Sequence, residues 1–151
     1  MLFFFVFIFI SFSTAADVQN KCFKLYDYIT KNEKQLTITV PGKMCDCQND
    51  EKHNKFVTDN QKEIETLIFT DSVTSIGNKC FSQFSSVKQI TFSGPVETIG
   101  KFSFYGTNIE EITIPQSVAT IEESAFGNNK NLKKIQFAEE MNQNQQPEIQ
   151  F

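Results

Sequence analysis

Apolar residues two positions apart recur in short segments along the C-terminal half of the chain. The four pairs are Leu67 and Phe69, Ile90 and Phe92, Ile112 and Ile114, and Ile135 and Phe137. A spacing of two places both side chains on one face of an extended segment, which is typical of a half-buried β-strand. The pattern therefore predicts one strand in each segment.

A second apolar pattern follows these strands and repeats in step with them. Segments 73–77, 96–100 and 118–122 each place a valine and an isoleucine inward, and their first residues lie 23 and then 22 residues apart. A phenylalanine follows each copy at the same two spacings, as Phe81, Phe104 and Phe126. A fixed period of about 20–30 residues is the signature of a solenoid, in which each repeat buries its apolar face against its neighbours.

The residues between the strands predict how each coil bends. Pro95 and Pro115 mark the turn after a strand, and Gly77 and Gly100 suit a turn with positive φ. The expected fold is mainly β with short helical turns. It is a solenoid of about three to four coils, with a parallel strand ladder and an N-terminal hairpin cap.

Stacking the copies about 4.8 Å apart places equivalent residues in columns. One column alternates in charge: Glu65, Lys88, Glu110 and Lys133. Opposite charges on adjacent strands stabilise their pairing and like charges oppose it, so this column is expected to fix the register. A hydroxyl column of the same structural kind contains Ser75, Thr98 and Thr120. A binding surface is the alternative interpretation of the charged column.

The first sixteen residues have the pattern of a secretory signal peptide. An apolar run extends from Leu2 to Phe12, interrupted at Ser11, and the small residues of 13–16 follow. A run of about eleven residues fits the apolar core of a signal peptide, whereas a spanning helix needs about 20. A retained membrane anchor is the alternative. No later segment is apolar enough to span a bilayer, so the mature chain is expected to be secreted or held at the cell surface.

The rest of the chain divides into three predicted regions. Residues 17–60 are expected to form the N-terminal cap, and residues 61–137 the repeats. A hairpin near residues 36–44 is expected to add a first rung to the stack. Residues 138–151 are rich in Gln, Asn and Glu and are expected to be a disordered tail. The last strand, which holds Ile135 and Phe137, has no successor. We therefore expect either that the tail folds back over these side chains or that the protein self-associates there.

Charge composition narrows the classes of partner. The chain contains 14 lysines, no arginine and 18 acidic residues, for a formal net charge of −4. Because it has neither a basic face nor arginine forks for phosphate, nucleic acid is not expected as a partner. No phosphate-binding loop, paired catalytic carboxylates or calcium loop occurs, so we expect no cofactor, no catalytic residues and no enzymatic activity.

Secretion permits the four cysteines to form disulfides. Cys80 takes a position that small residues hold in the other copies, which predicts a buried thiol in the core. Cys22 is then expected to pair with either Cys45 or Cys47, and the sequence leaves both pairings open. The only histidine, His53, lies in a polar segment that is expected to be mobile. These residues do not supply the four ligands of a closed zinc site, so no metal site is expected.

The repeats resemble a known family. The segments VTSIGNKCF at 73–81, VKQITF at 87–92 and ITIPQSV at 112–118 follow the pattern of the BspA-like leucine-rich repeat. Residues 35–44 resemble the hairpin that precedes the first repeat in such proteins, so the resemblance covers about residues 22–137. It implies a leucine-rich-repeat solenoid in a secreted or cell-surface protein that acts in adhesion and protein binding, not in catalysis.

Two groups of residues are candidates for contacting a partner. Phe102 occupies a column otherwise held by polar residues, which predicts a solvent-facing ring, and Tyr105 lies close to it in sequence. The charged candidates are Lys88, Glu110 and Lys133. Together they could form a protein-contact patch, because aromatic anchors dominate interface energies. Ordinary packing of Phe102 over the bend is the alternative. The partner is expected to be a host or matrix protein or, in a structural role, a second copy of the chain.

Overall fold

The computed structural model describes residues 21–138 and 148–149. These residues form eleven β-strands, one short 3-10 helix at Leu25–Tyr28 and one α-helix, α1, at Glu51–Asn60. The strands are β1 (Ile29–Asn32), β2 (Gln35–Ile38), β3 (Gly42–Lys43), β4 (Thr66–Phe69), β5 (Val73–Ile76), β6 (Gln89–Phe92), β7 (Thr98–Ile99), β8 (Glu111–Ile114), β9 (Thr120–Ile121), β10 (Lys134–Phe137) and β11 (Glu148–Ile149).

Each coil contributes one strand to each of two parallel stacks. In the first stack β2, β4 and β6 pair in order, and β8 pairs with β10. In the second stack the order is β3, β5, β7, β9 and β11. The predicted parallel ladder is therefore confirmed. Within the described residues the stacks contain five strands each, where the sequence predicted three to four coils.

The N-terminal cap differs from the predicted hairpin at residues 36–44. The antiparallel pair is β1 with β2, joined by a tight turn in which Glu33 has a φ of 49°. Residues 35–44 do add the first rung, because β2 pairs in parallel with β4 and β3 with β5, but they do not form an antiparallel hairpin with each other. β1 therefore covers the N-terminal edge of the first stack.

The polar segment around His53 is helical, and the expectation of a mobile segment is wrong there. Asp50 caps α1, since its carboxylate accepts hydrogen bonds from the backbone N–H groups of Lys52 and His53. Phe56 and Val57 pack against the core from the inner face of the helix. The cap and this short apolar contact hold a mainly polar helix on the first coil.

The phenylalanine column forms the centre of the core. The Phe81 and Phe104 rings stack with centroids 5.7 Å apart, and Phe104 and Phe126 with centroids 5.4 Å apart. Phe69 and Phe92, from the first stack, lie against the same column. The expected division between inward Val, Ile and Phe positions and an outward polar ladder is thus observed except in the last strand of the first stack, where Ile135 is 45% exposed.

The reason for the repeat glycines differs from the predicted one. Gly77 and Gly100 do not have positive φ. A Cβ on Gly77 would lie 2.1 Å from the Cys45 carbonyl oxygen, so close packing between coils excludes a side chain there. Positive φ occurs two residues later in each coil, at Lys79 (59°), Phe102 (53°) and Ser124 (51°).

The C-terminal region is described only in part. The predicted signal peptide at 1–16 and most of the predicted tail lie outside the described residues. Glu148–Ile149 pair in parallel with Thr120–Ile121, so these two residues do not fit the expected disordered tail. They join the second stack and do not pair with β10. No helix in the described ranges combines the length and apolar character needed to cross a bilayer.

Candidate binding surfaces

The charged column predicted from the sequence forms ion pairs between coils. Lys88 Nζ lies 3.0 Å from Glu65 Oε2, and Lys133 Nζ lies 3.0 Å from Glu110 Oε2. Lys34, one coil earlier, also binds Glu65. Hydrogen bonds from Lys34 and then Lys88 lower the pKa of the Glu65 carboxyl. The alternation thus extends through the first stack from the cap onward.

The first stack is interrupted between β6 and β8. These strands share no ladder pairing, and no ion pair joins Lys88 to Glu110 within the described part of the chain. The bend that precedes β8 is one residue shorter than the others, which reduces the repeat from 23 to 22 residues. The Asn108 N–H still donates to the Val87 carbonyl, so the coils stay joined just before the interruption. The shorter bend therefore accounts for the displacement of β8.

A groove follows this interruption on the outer face of the stack. Its volume is about 1150 Å³, and residues of β6, β8 and β10 line it. Lys88, Glu110 and Lys133 all lie on it, so the structure brings the three charged candidates together. We call this surface the ladder groove.

Phe102 and Tyr105 form a separate surface on the bends. Their ring centroids are 5.4 Å apart, and neither residue lines the ladder groove. The Lys79 and Lys101 amines lie 5.9 Å and 5.4 Å from the Phe102 ring centroid, a cation–π geometry. Phe102 is half-buried, so the prediction of a solvent-facing ring is only partly right. The five candidate contact residues therefore lie on two separate surfaces.

The four cysteines form two disulfides in the structure. Cys22 is joined to Cys45, one of the two pairings that the sequence left open. Cys47 is joined to Cys80, so the prediction of a buried core thiol at Cys80 is wrong, although the residue is fully buried. The second disulfide attaches the segment before α1 to the first bend. In residues 21–138 and 148–149 no cluster of three or more His, Cys, Asp or Glu side chains could hold a metal ion.

His53 is a buried residue that the sequence placed in a mobile segment. Its side chain is 3% exposed, and neither ring nitrogen has a hydrogen-bond partner. Burial lowers the pKa of the imidazole, while the charge of Asp50 and the nearby Lys79 carbonyl act in the opposite direction. No hydrogen bond joins that carbonyl to the ring nitrogens. The Asp50 helix cap, three residues earlier, is the sequence signal that could have indicated a helix here.

Stacked coils with equivalent inward positions and columns of outward side chains define a leucine-rich-repeat solenoid. The BspA type Leucine rich repeat region (6 copies) matches residues 53–147, more than half of the sequence. The chain belongs to the BspA type leucine-rich-repeat family.

Two solved structures are similar to the chain. A leucine-rich repeat protein from Eubacterium ventriosum ATCC 27560 is 22% identical, with a TM-score of 0.37; the match covers 70% of this chain and 40% of that one. A leucine rich cell surface protein from Faecalibacterium prausnitzii A2-165 is 21% identical, with a TM-score of 0.46 and coverages of 77% and 34%. The match thus spans less than half the length of either structure. No curated protein matches the chain.

Proposed function

We propose that this protein is a secreted or cell-surface module that binds a protein partner, in an adhesive role, through the ladder groove. Leucine-rich-repeat modules generally bind proteins and are typically scaffolds without enzymatic activity. The observation that carries the proposal is the interruption between β6 and β8, since it opens a groove within an otherwise continuous ladder.

The groove presents both signs of charge across a gap. Lys88 forms an ion pair with Glu65 of the preceding coil, and Glu110 forms one with Lys133 of the following coil. The two ion pairs therefore lie on opposite sides of the interruption. A partner segment with its own mixed charges can approach each side without losing these pairs. Complementary charges give specificity and faster association more than raw affinity.

Two observations support an extracellular location. Residues 1–16 have the composition of a signal peptide, and the four cysteines are paired in the structure. Disulfides persist mainly in oxidising compartments.

Biolayer interferometry against purified matrix and host cell-surface proteins tests the proposal. We expect at least one protein to bind. The double charge reversal Glu110→Lys with Lys133→Glu keeps an ion pair on the groove but inverts its polarity, and it should weaken that binding about tenfold or more. The matched control is Lys55→Glu with Asp59→Lys, which reverses an exposed ion pair on α1. Equal loss in both variants, or no binding to any protein in the panel, contradicts the proposal.

A structural role in self-assembly is the second candidate, and the exposure of Ile135 favours it. Among the described residues, Ile135 is the large apolar residue that is exposed, at 45%. It lies on β10, the edge strand of its ladder. Sedimentation velocity over a range of concentrations tests this role. A concentration-dependent dimer that Ile135→Asp abolishes supports it, and a monomer throughout excludes it.

A further inference from the structure

A second concavity lies between α1 and the first bend. Its volume is about 400 Å³. Asn54 and Thr58 of α1 form one wall, and Lys79, Ser82 and Gln83 of the bend form the other. His53 also lines it. We call this concavity the cap cleft.

The two walls of the cap cleft are fixed at both ends. At one end the Cys47–Cys80 disulfide joins the segment before α1 to the bend. At the other end Ser86 donates from its backbone N–H to the Gln61 carbonyl and from its hydroxyl to the Lys62 carbonyl. A cleft held in this way loses little freedom on binding a ligand, which favours affinity.

His53 gives the cleft an unused buried polar group. His53 is 3% exposed, and both ring nitrogens are closed to solvent and without a hydrogen-bond partner. Buried polar groups in folded proteins are nearly always hydrogen-bonded, and leaving one unpaired is unfavourable. A ligand hydroxyl, which both donates and accepts a hydrogen bond, would satisfy a neutral imidazole once the ring turns toward the cleft.

The remaining lining side chains restrict the chemistry of that ligand. They are mainly amides and hydroxyls, Lys79 is the one charged side chain apart from the histidine, and no carboxylate lines the cleft. The absence of acidic side chains from this lining disfavours a metal ion. Amide side chains both donate and accept, which matches a ligand with many hydroxyl groups. We propose that the cap cleft is a saccharide-binding site, distinct from the protein-binding ladder groove.

The single histidine allows a direct test by NMR. The imidazole resonances of the full mature chain are recorded while glucose, galactose, mannose, N-acetylglucosamine or glucuronic acid is added. We expect at least one sugar to shift them and to receive saturation transferred from the protein. A shift with glucuronic acid alone assigns a role to the Lys79 charge, and a shift with the neutral sugars assigns recognition to the hydroxyls. If none of the five sugars shifts the signals, the proposal is wrong.

Substitutions in the two walls locate the binding. Asn54→Ala and Gln83→Ala replace exposed side chains, so both variants should fold. Each substitution should lower the affinity for the sugar about tenfold. Asn32→Ala, an exposed amide on β1, is the matched control and should bind as the parent does. Unchanged affinity in both cleft variants, or cleft-dependent binding of a protein and not of a sugar, overturns the proposal. The Glu110→Lys, Lys133→Glu variant should still bind the sugar, which separates this test from that of the ladder groove.

Discussion

The imidazole of His53 links the stability of the cap to pH. Burial lowers its pKa in the folded protein below the ordinary value of 6.5, so the unfolded chain binds this proton more readily. The contribution to stability is therefore complete above pH 6.5 and is lost as the pH falls through the folded-state pKa. Asp50, whose own pKa is lowered by the hydrogen bond from the His53 N–H, is the charged side chain that acts on the ring.

We expect the free energy of unfolding in urea to decrease as the pH is lowered from above 6.5 to below it. His53→Gln should remove that slope, because an amide does not titrate in this range. The steeper loss at more acidic pH, where Asp50 and Glu65 take up protons, should remain in the variant. An identical slope in parent and variant would assign the pH dependence to other groups.

Phe104 is the side chain on which the core depends most. It is fully buried and its ring contacts those of Phe81 and Phe126 in the adjacent coils. Phe104→Ala should lower the free energy of unfolding by about 3–5 kcal/mol, since it removes a buried ring and leaves a cavity. Phe102→Ser, two residues away and half-buried, is the control and should cost clearly less. Equal losses in thermal or urea denaturation would contradict this description of the core.

The repeat period predicted the inward residues because each coil buries the same positions. The repeat period could not predict the disulfide of Cys80 or the burial of His53. The position of Cys80 accepts any small buried side chain, and its disulfide partner comes from the cap, 33 residues earlier. His53 is buried by contacts between α1 and the bend, which no local pattern records. The sequence also did not show that Phe102 and Tyr105 lie on a different surface from the charged candidates. That separation depends on the direction in which the bend projects from the stack.

Among the elements, α1 was hidden from sequence analysis by its polar composition. Only Phe56 and Val57 give it an apolar contact with the core, so a helical period was weak. The Asp50 cap and the Cys47–Cys80 disulfide supply the stabilisation that hydrophobic periodicity usually indicates. The helix thus depends on attachments at its N-terminal end.

Replacement of Cys47 and Cys80 by serine should therefore release α1. We expect a loss of about 2–5 kcal/mol in the free energy of unfolding, together with faster amide hydrogen exchange in α1. The matched control replaces Cys22 and Cys45, whose disulfide holds the N-terminal segment and not α1. If exchange in α1 rises equally in both double variants, the disulfide has no specific role in holding the helix.

At the scale of the whole molecule, the sequence predicted a parallel solenoid whose first rung comes from residues 36–44. β2 and β3 supply that rung, although β3 is only two residues long and its register with β5 shifts between Gly42 and Lys43. The interruption between β6 and β8 was unforeseen, although the shortened repeat was visible in the sequence. One residue fewer in a bend changes the ladder only once the coils are stacked.

The two concave surfaces are lined by different residues and differ in chemistry. The ladder groove is bordered by ion pairs, whereas the cap cleft is lined by amides, hydroxyls and a buried imidazole. We assign the first to a protein and the second to a saccharide. Each assignment can fail without the other, because no residue lines both surfaces.

Amide hydrogen exchange on the chain, alone and saturated with the protein that binds it in the interferometry panel, tests the central claim most directly. We predict slower exchange in β6, β8 and β10 on binding, and unchanged exchange in α1. Protection confined to α1 or to the bend of Phe102 and Tyr105, with β6 and β8 unchanged, would contradict the ladder groove as the protein-binding surface.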